Sequence, residues 1–207
     1  MDEKTLHILE QVRRLYYRYG IKSVTMDDVA KHLCISKKTL YENFADKEDL
    51  VSHIVLLDHS NRNKFFQEIK NRNLNAIEEL FEVYRMINTM FMDYNASMEY
   101  DIHKYYPELY TKVKGIRRKK IYDTMYNNMN KGKKEGLYRK ELNSKIIARL
   151  LALRVENMYD NEIFTIEEIV SVKVFNEVFV YHLQGILNAK GRAFFEKKFT
   201  RLKADLV

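Results

Sequence analysis

An all-α fold is predicted by three features of this 207-residue chain. It holds only one proline and six glycines, too few to interrupt a chain of this length except at a handful of turns. Its apolar residues recur at i, i+3, i+4 and i+7. Residues that cap helices stand where these periodic stretches begin. The length admits one large or two small domains with a packed core, and no segment reaches the roughly 18 to 20 consecutive apolar residues of a membrane span.

The first helix is predicted by the stripe Leu9, Val12, Leu15, Tyr16 and Tyr19, and it ends at Gly20 with Ile21 placed to cover its end. Thr25 followed by Asp28 is a capping-box pattern, so a second helix is expected from about Met26 to Leu33, burying Val29, Ala30 and Leu33. Cys34 and Ile35 form a tight turn. Ser36 caps a third helix, in which Leu40 and Phe44 at i, i+4 spacing supply the buried stripe. At about 100° per residue, Lys38 and Glu42 then point away from that stripe, with Thr39 and Tyr41 beside them.

Two short helices around a tight turn can present the N-terminal side chains of the second to the edges of bases in a DNA major groove. Lys37, Lys38, Thr39, Tyr41 and Asn43 are the candidate readers, with Ser36 at the helix start. Thr25 and Lys47, at the starts of the flanking helices, are candidate phosphate anchors, because free amides and the helix dipole favour an anion there. A capped helical hairpin with a charged outer face and no nucleic-acid role has the same local pattern.

The run VAKHLCISKKTLYENFADKEDL resembles the tetracycline-repressor (TetR) family of bacterial regulators, through Gly20, Thr25, Ala30, Ile35-Ser36, Thr39-Leu40-Tyr41, Phe44, Lys47, Glu48 and Leu50. The resemblance covers about the first fifty residues, and beyond them only the helix pattern and the phrase GLYRKELNSK after Glu135. It implies a helix-turn-helix DNA-binding head over residues 1–50 and a helical ligand-binding and dimerisation domain over 51–207. It also implies DNA contacts by Thr25, Ser36, Lys37, Lys38, Thr39, Tyr41, Asn43 and Lys47. Cys34 departs from the family, which usually has glycine there. The turn tends to need a positive φ, at a cost of roughly 1 kcal/mol for a residue with a Cβ.

After the third helix, Asp46 caps a longer one with Glu48 and Asp49 in its first turn. Leu50, Ile54, Leu57, Phe65, Phe66 and Ile69 carry its stripe to about Asn71. Such a rod reaches from the head into the second domain and suits a lever. Further helices are expected over Asn75 to Asn95, Ser97 to Tyr105, Pro107 to Glu135, Ser144 to Asp160, Ile166 to Asn188 and Arg192 to Leu206. Gly136 and Gly191 are read as punctuation, Asn143 as a cap, and Thr165 with Glu168 as a capping box. The Ile166 to Asn188 helix is apolar on more than one side, so one side is expected to meet a second copy of the chain. The candidate interface is Ile147, Leu150, Leu151 and Arg154 with Val172, Phe175, Val178, Phe179, His182 and Leu183, giving a homodimer whose two heads bind a palindromic operator.

Methionines and tyrosines crowd the stretch from Met86 to Met129, a composition suited to an adaptable apolar cavity and also to ordinary core. The resemblance implies a ligand cavity in this domain. Met90, Tyr94, Met98, His103, Tyr122, Met125, Tyr126 and Met129 are its candidate lining, and a small apolar or aromatic effector its candidate occupant.

The net charge of +7 does not lie in the head, where nine basic residues meet nine acids. It lies between Lys112 and Lys140, where a solvated helix face is the plain expectation, with Leu109, Val113, Ile116, Ile121, Met125 and Met129 turned inward together. An alternative is a basic helical module that binds RNA or anionic membrane through this stretch. An enzyme is a weaker alternative, since no phosphate loop or nucleophile motif is present. Glu99 and His103, with Asp101 nearby, are too few for a metal site, and no cofactor is called for. The single cysteine excludes an intrachain disulfide. The acidic, helix-patterned start lacks the order of an export signal, so a cytoplasmic protein with no membrane partner is expected.

Overall fold

The computed structural model describes residues 2–92, 96–157, 164–165, 168 and 171–204. They form helices α1 (Glu3–Tyr19), α2 (Met26–His32), α3 (Lys37–Asn43), α4 (Lys47–Asn71), α5 (Ala76–Met92), α6 (Ala96–Tyr105), α7 (Pro107–Lys134), α8 (Ser144–Asn157), α9 (Val172–Ile186) and α10 (Ala189–Ala204). Among the described residues there is no strand, only an isolated bridge between Tyr138 and Leu187. None of these helices is long and apolar enough to cross a membrane.

The chain packs as two units, Met1–Gln67 with Asn95–Gly115, and Glu68–Tyr94 with Ile116–Val207. This division does not follow the motif boundary at residue 50, which lies three residues inside α4. The core decides it: Leu50, Val51, Ile54 and Val55 of α4 are buried with the head helices, and so are Met98 of α6 and Leu109 of α7.

In the first unit, local chemistry sets the helix ends. Thr25 and Asp28 close a reciprocal capping box on α2, Ser36 accepts from the Thr39 N–H to start α3, and Asp46 accepts from the Asp49 N–H to start α4. Gly20 ends α1 at φ 78°, ψ 154°, a region open to glycine, and Ile21 is fully buried behind it. Leu9, Val12, Tyr16, Val29, Ala30, Leu40 and Phe44 meet in one core. Tyr19 departs from the predicted stripe, being 53% exposed as the last residue of α1. Arg13 and Asp58 tie α1 to α4 at 2.6 Å. Burial nevertheless pushes the Asp58 carboxyl above its ordinary pKa, outweighing the pull of Arg13.

In the second unit, Phe81 and Tyr84 of α5 pack against Phe175 and Phe179 of α9, with ring centroids 4.6–5.8 Å apart. The Tyr84 hydroxyl also donates to Asn176. Tyr138 is buried over Gly132, where a Cβ would come within 2.2 Å of the ring, and its hydroxyl donates to Asn128 at 2.8 Å.

Several expected boundaries shift. The Thr165–Glu168 capping box forms, but the expected helix from Ile166 is interrupted at Ser171, whose extended backbone and hydroxyl cap α9 instead. Residues 166–167 and 169–170, also inside that expected span, lie outside the described residues. Gly191 does not punctuate. It sits in the first turn of α10, capped by Asn188, because any Cβ there would fall 2.1 Å from the Leu137 carbonyl. Ile116 is exposed rather than turned inward, since α7 serves two cores in succession, Leu109 and Val113 in the first unit and Met125 and Met129 in the second.

The residues of the expected pairing face divide between the unit's own core and its surface. Leu183 is fully buried in its own unit, and Phe175, Phe179, Ile147 and Leu151 pack against that same core. The outward apolar side chains are Ile146, Leu150 and Leu153 on α8, and Val172 and Tyr181 on α9. Val178 is half-buried. Arg154 is half-buried against Tyr181 and His182, and burial followed by the Arg154 charge lowers the His182 pKa to about 4.

Two expectations follow. Cys34 has φ 52°, the left-handed value expected of a glycine turn position. Cys34→Gly is expected to stabilise the protein by about 0.5–1 kcal/mol, the removed strain exceeding glycine's greater unfolded-state freedom, as measured by the urea midpoint. Because His182 protonates more readily unfolded than folded, stability should fall as pH drops from about 6.5 towards about 4, by at most about 3 kcal/mol. Urea unfolding at pH 7 and pH 4.5, with His182→Gln as the control that lacks this component, checks it.

Candidate nucleic-acid interface

Helix α3 has seven residues, too few to persist alone, so its position comes from burial of Leu40 and Phe44 and from the Ser36 cap. Each buried side chain contributes roughly 1.5–3 kcal/mol and the cap about 1 kcal/mol. With those residues turned inward, Lys37, Lys38, Tyr41 and Glu42 are exposed, and Tyr41 retains 49% of its surface.

The eight predicted DNA-contact residues do not stand equally ready. Lys38 and Tyr41 project into solvent. Lys37 is drawn to Asp27 of α2 at 2.5 Å, an exposed pair that a phosphate can replace. The hydroxyls of Thr25 and Ser36 are engaged as caps, Thr25 donating to Asp28 at 2.6 Å and Ser36 lying 2.8 Å from the Thr39 hydroxyl. Asn43 donates to the Thr39 carbonyl at 2.7 Å and accepts from Thr5 of α1 at 3.4 Å, so it braces α3 rather than projecting from it. Lys47 is half-buried, and its ammonium donates to the Lys22 carbonyl at 3.3 Å. Burial lowers its pKa, opposed by the charges of Asp101 and Asp28.

This geometry, two capped helices around a left-handed turn with the second exposed along one side, lies within the residues that match the family model for bacterial regulatory proteins of the tetR family, residues 8–54. The head belongs to the TetR family. Over 60 residues the chain is 36% identical to the HTH-type transcriptional regulator AcrR of Shigella flexneri, a match that takes in 29% of this chain and 28% of that protein. Solved structures extend the likeness of fold beyond the TetR head. A transcriptional regulator from Cytophaga hutchinsonii superimposes with a TM-score of 0.75 at 18% identity, covering 90% of this chain and all of that one. AibR, solved in complex with isovaleryl coenzyme A and operator DNA, gives 0.54 at 19% identity over 83% of this chain and 96% of its own.

The eight predicted ligand-lining residues divide between the units. Met98 is buried in the first unit's core, and His103 is exposed there against Tyr110, ring centroids 4.6 Å apart. Met125 and Met129 are buried in the second unit, with Tyr122 and Tyr126 stacked beside them at 6.0 Å. Met90 is 37% exposed, and Tyr94 lies outside the described residues. Two residues that the sequence did not single out are more suggestive. Asn88 of α5 and Glu156 of α8 are buried, at 8% and 4% exposure, yet among the described residues both Asn88 amide atoms and Glu156 Oε1 have no hydrogen-bond partner. Asn88 lies one turn beyond Tyr84, and Arg118 reaches the other Glu156 oxygen at 3.6 Å. The only sequence signal was a polar residue on an otherwise apolar stripe.

The basic stretch is partly absorbed into structure. Lys131 bonds Glu79 and the Leu74 carbonyl, both at 2.6 Å, and Arg139 bonds Glu141 at 2.7 Å.

Lys38→Ala combined with Tyr41→Phe is expected to weaken duplex DNA binding by about 100-fold, at about 1–3 kcal/mol per lost contact. Fluorescence anisotropy reads the binding. The thermal midpoint should stay within about 2 °C, because both side chains are exposed.

Proposed function

We propose that this protein is a ligand-responsive DNA-binding transcriptional regulator, a repressor that binds a palindromic operator as a homodimer and is released by a small effector. The observation that carries it is the exposed Lys38–Tyr41 side of α3, on a head held by caps and core in the TetR arrangement. The DNA-contacting set is Thr25, Ser36, Lys37, Lys38, Thr39, Tyr41 and Lys47, with Asn43 as a brace.

Pairing through α8 and α9 is supported by the outward row Ile146, Leu150 and Leu153 at i, i+4, i+7, and by Tyr181, 78% exposed. Such a contiguous apolar row loses free energy in water and gains it against a second copy. Two heads related by a two-fold axis would read half-sites about one DNA turn apart, or a multiple of it.

The effector site is placed in the second unit, among Tyr122, Met125, Tyr126 and Met129. Asn88 and Glu156 supply its polar handles, their unused hydrogen-bonding capacity being costly unless a ligand meets it. An apolar body carrying a hydrogen-bond donor fits that combination. AibR, in complex with both an acyl coenzyme A and operator DNA, shows that a protein of similar fold holds both kinds of partner. Release requires the effector to favour a form whose heads no longer match the operator. A 100-fold loss of affinity corresponds to about 2.7 kcal/mol of coupling.

Selection of bound fragments from random duplex DNA is expected to return a two-fold symmetric consensus. Leu150→Asp should sediment as a monomer at micromolar concentration and bind that consensus at least tenfold more weakly. An asymmetric consensus, or a parent protein that sediments as a monomer, would remove the dimeric operator from the proposal.

A further inference from the structure

Asp101 of α6 is a carboxylate only 6% exposed, and its Oδ2 accepts from the backbone N–H of Lys22, 79 residues away, at 2.8 Å. A buried charge costs several kcal/mol unless it is paired or hydrogen-bonded, so this contact is a specific fixture of the fold. Lys22 is held at its other polar groups too. Its ammonium lies over the Tyr105 ring, 4.8 Å from the centroid, and a hydrogen bond from Lys22 draws the Tyr105 hydroxyl below its ordinary pKa. Its carbonyl accepts from the Lys47 ammonium at 3.3 Å.

Lys22 thus joins three elements of the first unit. It lies in the turn three residues before Thr25, the cap of α2, and it orients Lys47, the first residue of α4. Thr25 and Lys47 are the two candidate phosphate anchors that bracket α3. We infer that Asp101 and Tyr105 of α6 are positioning residues for DNA binding: by gripping Lys22 they set the α1–α2 turn and the Lys47 ammonium where a phosphate can meet them. This rests on the proposal that the head binds duplex DNA. Packing is consistent with a rigid grip, since Met98 is buried and Ile102 and Tyr106 pack against the same core as Tyr16 and Leu50. The segment that carries the grip, 95–115, is bounded in the chain on both sides by residues of the second unit, 68–94 and 116–207.

The test uses the full-length protein and the duplex selected by the parent. Asp101→Ala is expected to weaken binding at least tenfold and to make the plot of log affinity against log salt shallower by about one phosphate contact, the signature of a lost Lys47 anchor rather than of a general loosening. Asp101→Asn keeps an acceptor for the Lys22 N–H and should bind at least as well as the parent. Tyr105→Leu, at a partly exposed position where folding is not at risk, should weaken binding about threefold or more. Amide exchange at Lys22 should accelerate in Asp101→Ala and not in Asp101→Asn.

Parent-like affinity and salt slope in both Asp101→Ala and Tyr105→Leu would overturn the inference and leave the DNA-binding proposal standing. Equal weakening in Asp101→Asn and Asp101→Ala would also overturn it, since the hydrogen-bond acceptor would then not be what matters. A parent that prefers no duplex over competitor would instead remove the DNA-binding proposal and this inference with it.

Discussion

The head depends on the burial of Leu40 and Phe44. A seven-residue helix closes too few hydrogen bonds to offset the conformational entropy of its own turns, so α3 exists because its neighbours hold it. Packing that stripe against Val29, Ala30 and Leu50 fixes the rotation of α3 about its axis. The rotation then decides that Lys38 and Tyr41 face outward. A presentation surface follows from a core contact.

Around this helix, polar groups hold geometry as much as they await a partner. Ser36, Thr25 and Asp28 satisfy helix starts, and Asn43 ties α3 to its own backbone and to α1. Lys37 and Lys47 already have partners at Asp27 and at the Lys22 carbonyl. Such prior engagement reduces the entropy lost when the surface meets a ligand, at the cost of the contacts that must be exchanged. Cys34 carries the opposite burden, a strained backbone in the turn that sets the angle between α2 and α3.

The second unit solves a different problem. Helix α9 is apolar on more than one side, and its stacked aromatics commit one side to α5, with Tyr84 and Phe81 against Phe175 and Phe179. The apolar surface left over, with Leu150 and Leu153 of α8 and Tyr181 of α9, is what a second copy would cover. Burial of Asn88 and Glu156 in the same unit leaves polar atoms without a partner among the described residues, in a low-dielectric setting where a ligand able to pair with them gains most.

What the chain reveals by itself is whatever is decided within three or four residues. Caps at Thr25, Ser36, Asp46 and Asn143, and the glycine stop at Gly20, were all legible, because the donor and the acceptor lie within one helical turn of each other. The inward set of the head was legible too, since a single stripe allows one rotation. The phase of α9 was not, because a helix with several apolar sides satisfies periodicity at more than one rotation, and only the aromatics of α5 choose between them. Gly191 looked like a helix stop until Leu137 approached it from 54 positions away, and Asp101 looked idle until Lys22 closed on it across 79. Local hydrogen bonding is written in sequence neighbours, whereas close approach and charge burial are properties of chain segments that meet only after folding.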